Sequence, residues 1–399
     1  MTYPYYVEKV INMINAAGHE AFVVGGAVRD MMLGRENHDF DLTTSALPEE
    51  TAEIFADYHV IKTGLKHGTV TVVIDKIPLE ITTYRIDGDY KDSRRPEGVT
   101  FTRCLEEDLA RRDFTVNAMA YNAERGVVDL YGGAEDLKAG LIRAVGEPER
   151  RFTEDALRIM RAFRFVSKLG FDIEEKTLAA AEACRFGLEN ISQERKTAEL
   201  EGILLGAFAQ KAVLLMAKTK TLEIIAQGVK FAPSRLEKLG ELPQDFTCRL
   251  AFCLAHTDNY DNYISTLRLS NSVASRTKKL IKLSVEKLSL DTAPSLRAFM
   301  ATAGEELEYI LEIKKALGEK VDGILPRTQK IRDDGDCLFV KDLAVDGRDL
   351  AVMGVKGKAL GEILSKLLDF VLEEPERNQR KILLTEAERL AREMGEEQK

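Results

Sequence analysis

The stretch AFVVGGAVRDMMLGRENHDFDLTT, residues 21–44, frames the reading of the whole chain. Ala21 to Val24 is a short apolar run with two adjacent valines, which suits a buried strand. Gly25-Gly26 interrupts it where a turn must bring bare backbone close to a ligand. Ala27 to Leu33 is helix-compatible and stops at Gly34, as a helix with a left-handed cap would, so the glycines fall at a helix N-terminus, where free N–H groups favour a phosphate. Gly26, and Arg29 in the first turn, are the candidate phosphate contacts. Asp39-Phe40-Asp41 follows. In an extended strand alternate side chains share a face, so both carboxylates point one way and Phe40 points to the core. Paired carboxylates repel unless a cation lies between them, and oxygen ligands beside a phosphate-binding turn suit Mg²⁺. Singly, Gly-Gly also fits an ordinary turn and Asp-x-Asp a solvated strand end. Their order and spacing together give them weight.

The segment GGAVRDMMLGRENHDFDLTT resembles the nucleotidyltransferase signature of class II tRNA nucleotidyltransferases and bacterial poly(A) polymerases, within the polymerase-beta-like superfamily. Outward from it, Tyr5 to Ala17 fits a helix ended by Gly18. His59–Thr63, Thr69–Ile74 and Leu79–Tyr84 fit strands, the last two joined as a hairpin by Asp75-Lys76-Ile77-Pro78. A mixed sheet with helices is the expected head. Alternation lets Glu80 share a face with Thr82 beside the aspartates. The resemblance places a third carboxylate on this strand, while alternation alone also admits a surface glutamate on a strand edge. Ile86 to Arg103 is polar and charged and is expected as a mobile loop. RRDFTVNA, after the helical CLEEDLA, resembles the family's second signature. By that resemblance Arg112 contacts the triphosphate, and Asp113 and Asn117 touch the sugar or brace the site.

With 399 residues, 45% of them hydrophobic and 31% charged, the chain exceeds one compact core; about two to four domains are expected. No apolar run approaches the roughly 18 residues of a membrane span, and MTYPYYVEKV has no basic segment followed by an apolar one. Cys104, Cys184, Cys248, Cys253 and Cys337 are an odd number without metal-ligand spacing, as expected of reduced thiols in a cytoplasmic protein. Fifty-seven basic against 66 acidic residues give a net charge of -9, so RNA must meet a local basic patch rather than the whole surface. The richest run is Arg143 to Lys168, with Arg143, Arg150, Arg151, Arg158, Arg161, Arg164 and Lys168. A solvated helix face explains such a run as readily.

After Gly146 short strands give way to helical patterns. The expected division is a catalytic head (1–146), a helical neck (147–207), a helical body (208–325) and a helical tail (326–399), an α+β chain overall. Thr153 is expected to cap a helix from Glu154 to Leu169, closed by Gly170. On it Ala156, Ile159, Met160, Ala162, Phe163 and Val166 crowd one side, and Arg158, Arg161 and Arg164 share the other. EDALRIMRAFRF resembles the family's EDxxR signature, which reads the incoming base. The chemistry agrees. Adenine and cytosine each offer an amine donor next to a ring-nitrogen acceptor, which a carboxylate beside a guanidinium complements. An i,i+3 surface ion pair between Asp155 and Arg158 is the plain alternative. Ser192–Leu205 is expected to pack beneath this helix. The segment from Asp342 to Leu384 resembles the family's tail, with a helix starting near Ala359 and apolar spacing from Leu360 to Val371; the glycines before it fit an RNA backbone or a simple helix start.

The resemblance therefore implies a template-independent enzyme that transfers CMP and then AMP from CTP and ATP to a tRNA 3′ end, releasing pyrophosphate. Asp39 and Asp41 would hold Mg²⁺ with Glu80 as a third ligand. Gly26, Arg29 and Arg112 would hold phosphates. Asp155 and Arg158 would read the base, supported by Arg161 and Arg164. CC-only, A-only and poly(A) enzymes use the same motifs. The absence of a Lys/Arg-rich extension weighs against a polymerase that grips a generic RNA tail. His256 is the only histidine after His67, which leaves an attached His-Asp phosphohydrolase domain unsupported. A non-catalytic nucleotide- or RNA-binding protein is the reading from another class, and the presence of both aspartates argues against it.

Overall fold

The structure, a computed structural model, describes residues 1–87, 99–287 and 290–397. The chain forms two compact units, Met1–Gly240 with Thr257–Ser270, and Glu241–His256 with Asn271–Lys399.

In the first unit, α1 (Tyr5–Ala16) buries Val7, Val10, Ile11 and Ile14, the one-face spacing of an amphipathic helix. Strand β1 (Ala21–Val24) is buried throughout. Gly25 then adopts φ 66° and ψ −129°, a conformation that side-chain-bearing residues avoid, and α2 runs over Gly26–Met32 before Gly34 turns left-handed at φ 65°. Next come β2 (Leu42–Thr44), α3 (Pro48–Ile54), β3 (His59–Ile61), β4 (Thr69–Ile74) and β5 (Ile77–Thr83). The β4–β5 connection is tighter than expected. Asp75 and Lys76, at φ 50° and 71°, make a two-residue turn, and Ile74 pairs directly with Ile77. β6 (Arg85–Asp87) and β7 (Val99–Phe101) pair antiparallel, so the ends of the expected loop are strands; its middle, 88–98, lies outside the described residues. Then follow α4 (Leu105–Ala110), β8 (Met119–Asn122), β9 (Gly126–Asp129) and α5 (Gly133–Ala139).

Among the described residues seven strands form one mixed sheet in the order β3-β4-β5-β2-β1-β8-β9. The β2–β5 pair is parallel and the other neighbours are antiparallel. Asp39 to Asp41 precedes β2 rather than lying within it, but the expected alternation holds: Phe40 is buried at 5% exposure, and both aspartates are exposed. Because Leu42 pairs with Ile81 in parallel, the preceding residues Asp41 and Glu80 lie level on the same side of the sheet. On one face Leu105 and Leu109 of α4 pack with Phe22, Val24, Tyr84 and Ala120.

Beyond the head, β10 (Leu141–Ile142) precedes α6 (Pro148–Glu154) and α7 (Leu157–Leu169). These are followed by β11 (Asp172–Ile173), parallel to β10, then α8 (Glu175–Ala183) and α9 (Gln193–Leu205). The continuous helix expected from Glu154 with a Thr153 cap is corrected here. Thr153 sits in the last turn of α6, its hydroxyl donating to the Glu149 carbonyl. Asp155 breaks the path at φ −143°, ψ 102°. The reason is local: the Asp155 carboxylate accepts the Leu157 N–H at 3.0 Å, the short-range bond by which aspartate favours a helix start over a helix interior. Helix α9 packs along α7, as expected.

The second unit is helical. Its terminal part buries Ile363, Leu367 and Val371 of the helix Lys358–Glu373 with Leu383, Ala387 and Leu390 of the last helix, Arg380–Glu397. No helix among the described residues is long and apolar enough to cross a membrane.

Candidate active site

A cleft of about 800 Å³ in the first unit gathers the turn before α2, the segment before β2, the end of α4, and faces of α7 and α9. Asp39 and Asp41 line it. The Asp41 carboxyl is pushed above the ordinary aspartate range, first by desolvation and then by the charges of Asp39 and Glu80, with Arg112 opposing them. Carboxylates that raise one another's proton affinity are a donor set that a hard divalent cation relieves, and two such oxygen ligands plus substrate phosphates suit a small one. The pair fits. Among the described residues no group of three His, Cys, Asp or Glu side chains converges as a metal site, and the Glu80 charge is felt at Asp41.

The opposite wall is basic. Arg112 lies against the glycine turn: a methyl group on Gly25 would come within 3.2 Å of its Nη1. Its Nη2 donates to Asp108 Oδ2 at 3.0 Å. Asp108 is fully buried, and its Oδ1 accepts from Arg111 Nη2 at 2.8 Å and Nε at 3.0 Å. Burial opposes the Asp108 charge, but Arg112 and Arg111 together outweigh it and hold the carboxyl below the usual range. Arg29, expected as a phosphate contact, lines the cleft with its side chain largely buried. It is 3% exposed, grips Asp30 through Nε and Nη2 at 3.0 Å each, and donates to Asn117 Oδ1 at 2.7 Å. Its guanidinium rests beneath Gly26, 3.4 Å from where a Cβ would stand, and braces the turn from below.

From Asn117 the bracing continues to α7. Asn117 donates to Asp113 Oδ1 at 3.3 Å, and Arg161 Nε donates to Asp113 Oδ2 at 2.8 Å. Burial of Asp113 is outweighed by Arg161, which holds its carboxyl low. Arg164 reaches Glu199 of α9 at 3.3 Å. The guanidiniums of Arg29 and Arg161 both lie over the Phe165 ring, 5.5 and 5.6 Å from its centroid. Asp155 and Arg158 both line the cleft, and the Arg158 backbone N–H donates to the Asp155 carbonyl at 3.0 Å. Asp155 Oδ2 accepts from Arg195 at 2.8 Å. Arg158, 8% exposed, donates to Glu154 at 2.9 Å, to the Arg151 carbonyl at 3.3 Å and to the Arg111 carbonyl at 3.0 Å.

Comparison with known proteins meets this geometry. A family model described as the poly A polymerase head domain matches residues 21–143, and one described as a probable RNA and SrmB-binding site of polymerase A matches residues 170–231. The chain is 39% identical over 375 residues, 91% of each chain, to a CCA-adding enzyme of Limosilactobacillus fermentum. It belongs to the class II CCA-adding and poly(A) polymerase family. A CCA-adding enzyme of Enterococcus faecalis is 35% identical over 390 residues, covering 95% of this chain and 94% of the relative. Among solved structures, the Bacillus stearothermophilus CCA-adding enzyme in complex with CTP superposes with a TM-score of 0.81 at 32% identity, covering 99% of this chain and 100% of that one. The family as a whole is one of divalent-metal nucleotidyltransferases.

Within that family frame, every residue expected to contact nucleotide or metal lines the cleft except Glu80. Arg111, next to Arg112 in RRDFT, and Lys168, at the end of the basic run, line it as well, whereas Arg85, Leu157, Phe165 and Arg195 were not anticipated. Arg195 had no signal, because it comes from a helix turn 40 residues from Asp155 that only packing brings near. The basic run from Arg143 divides. Arg158, Arg161, Arg164 and Lys168 face the cleft, whereas Arg143 pairs with Asp136 and Arg150 and Arg151 pair with Glu154.

Proposed function

We propose that this protein acts as a CCA-adding tRNA nucleotidyltransferase, joining CMP and then AMP from CTP and ATP to a tRNA 3′ end without a nucleic-acid template. The observation that carries the reading is one cleft holding paired carboxylates, a glycine turn backed by Arg112, and an Asp155–Arg158 wall within a chain of this family. In the reaction the tRNA 3′ hydroxyl forms a bond to the nucleotide α-phosphorus as the bond to the β-phosphate breaks, and pyrophosphate leaves. Asp39 and Asp41 are assigned to Mg²⁺, with Glu80 a neighbouring charge. When bound, the cation polarises phosphate oxygens and favours ionisation of the attacking hydroxyl.

The chain's own groups do the rest. Gly26 and Arg112 face the phosphates, and Arg29 holds the turn. Asp155 has each oxygen engaged, by Leu157 N–H and by Arg195, yet an ionised carboxylate offers about four lone-pair sites and retains capacity for the base amine. Arg158 supplies donors toward the ring nitrogen, with Arg161 and Arg164 supporting the wall. In functional terms the head is residues 1–146, the neck 147–207, the body 208–325 and the tail 326–399, with tRNA engaged by the tail. Free cysteines support a cytoplasmic setting.

The test is direct. The protein is incubated with tRNA lacking its 3′ end, Mg²⁺ and each nucleoside triphosphate in turn, and the products are sequenced. Ordered C, C, A addition that stops when EDTA replaces Mg²⁺ is expected. Addition of C alone, of A alone or of a long A tract would replace the reading with a CC-only, A-only or poly(A) enzyme, and no addition would replace it with a binding protein.

A further inference from the structure

Arg112 carries the phosphate side of the proposed site, yet among the described residues only one acceptor reaches its guanidinium, the Asp108 carboxylate. Its Nε is buried and finds no partner among those residues. A flexible guanidinium tethered at one nitrogen keeps its place only as long as the tether does. The tether itself is rigid. Asp108 is on α4, whose neighbouring Leu105 and Leu109 are in the core, and its side chain is wholly buried. Its other oxygen takes two donors from Arg111, and the Arg85 N–H lies 3.4 Å from it, at the start of β6. The carbonyl of Arg111 in turn accepts from Arg158.

We propose that Asp108 is a positioning residue for nucleotide binding: its buried carboxylate orients Arg112 against the Gly25 turn and thereby sets the affinity for the triphosphate, irrespective of the base. Asp108 does not line the cleft and touches no substrate; it acts through Arg112. A charge-assisted bond to a buried carboxylate is the strong kind, so its loss lets the guanidinium sample other rotamers and lowers the fraction of molecules competent to bind. The inference rests on Arg112 being the phosphate ligand.

Inorganic tripolyphosphate isolates that contribution, since it has no base or sugar. Its inhibition constant against CTP is measured for the full chain and for Asp108→Asn, Asp108→Glu, Arg112→Ala and each Asp108 variant combined with Arg112→Ala. Asp108→Asn is expected to raise the constant about tenfold in the unaltered background and less than about twofold when Arg112 is already alanine, because residues acting as a unit are not additive. KM for CTP and ATP should rise by the same factor, with tRNA affinity unchanged. Asp108→Glu keeps the charge one methylene away and serves if Asp108→Asn does not fold; its effect should also vanish on Arg112→Ala. Equal effects in both backgrounds, or none in either, overturn the role of Asp108. If Arg112→Ala alone leaves the inhibition constant unchanged while transfer persists, the phosphate assignment beneath the inference fails instead.

Discussion

Gly25 offers the sharpest stereochemical test. At φ 66° and ψ −129° it occupies backbone space that an alanine enters at a cost of about 1–3 kcal/mol. The added Cβ would also stand 3.2 Å from Arg112 Nη1. A side-chain tip can retreat, so that contact costs little stability but displaces the group assigned to the phosphates. Gly25→Ala should therefore do two separable things. Its melting temperature should fall by roughly 2–4 °C for each kcal/mol of strain. Its dissociation constants for CTP and ATP should rise alike, by about ten- to a hundredfold if one charge-assisted bond is lost. Gly26→Ala is the control for stability alone: that glycine has no positive φ, and its Cβ would meet Arg29 Nη2 at 3.4 Å, an ordinary contact. The assay is nucleotide titration without tRNA, beside a thermal melt. If Gly25→Ala melts and binds like the unaltered chain, or Gly26→Ala loses more melting temperature than Gly25→Ala, the turn has been misread.

Asp41→Ala should abolish nucleotide transfer while leaving tRNA affinity, read by gel mobility shift, nearly unchanged; more than a few per cent of residual transfer would sink the metal assignment. Arg195→Ala removes the cation at 2.8 Å from Asp155 and should narrow the advantage of CTP and ATP over UTP and GTP by about tenfold or more, measured as kcat/KM on one primer; a common loss for all four nucleotides would make Arg195 purely structural. Asp113, held low by Arg161, favours folding above the unfolded aspartate pKa of about 3.9, and that contribution is lost as the pH falls through its lower folded value. Asp113→Asn should accordingly lower stability in urea more at pH 7 than at pH 3, and equal deficits at both would refute the coupling.

The head was largely legible because its signals are local. Two glycines between an apolar run and a helix, and Phe40 between two aspartates, each constrain one turn or one face, and β1 and β4 fall on the expected runs Ala21–Val24 and Thr69–Ile74. The neck was legible as helix but not as two helices. Hydrophobic periodicity runs straight through Asp155, and only the side-chain bond to Leu157 N–H breaks the path there. The fate of individual charges was the least legible. Arg29 sits in the first turn of a helix at a glycine motif, which suits a phosphate contact, but Asp30 next to it and Asn117 from a distant turn draw its guanidinium into the interior. Asp155 and Arg158 stand at helical spacing, but Arg195 beside the one and Glu154 beside the other could not be read from that spacing. Spacing along a chain limits which groups can meet; competition among acceptors decides which do.

The parallel rung that sets Asp41 beside Glu80 also links chemistry to folding fidelity. These residues are far apart in the chain, so their alignment depends on how β5 seats against β2 and not on the length of chain between them. A slip of one residue would turn Glu80 inward and push Leu79 or Ile81, now 3% and 1% exposed, toward water. Burying a carboxylate while exposing two aliphatic side chains is penalised twice over, so the misaligned sheet is also the unstable one. A molecule that has packed its sheet has thereby checked the placement of these two carboxylates before meeting any ligand.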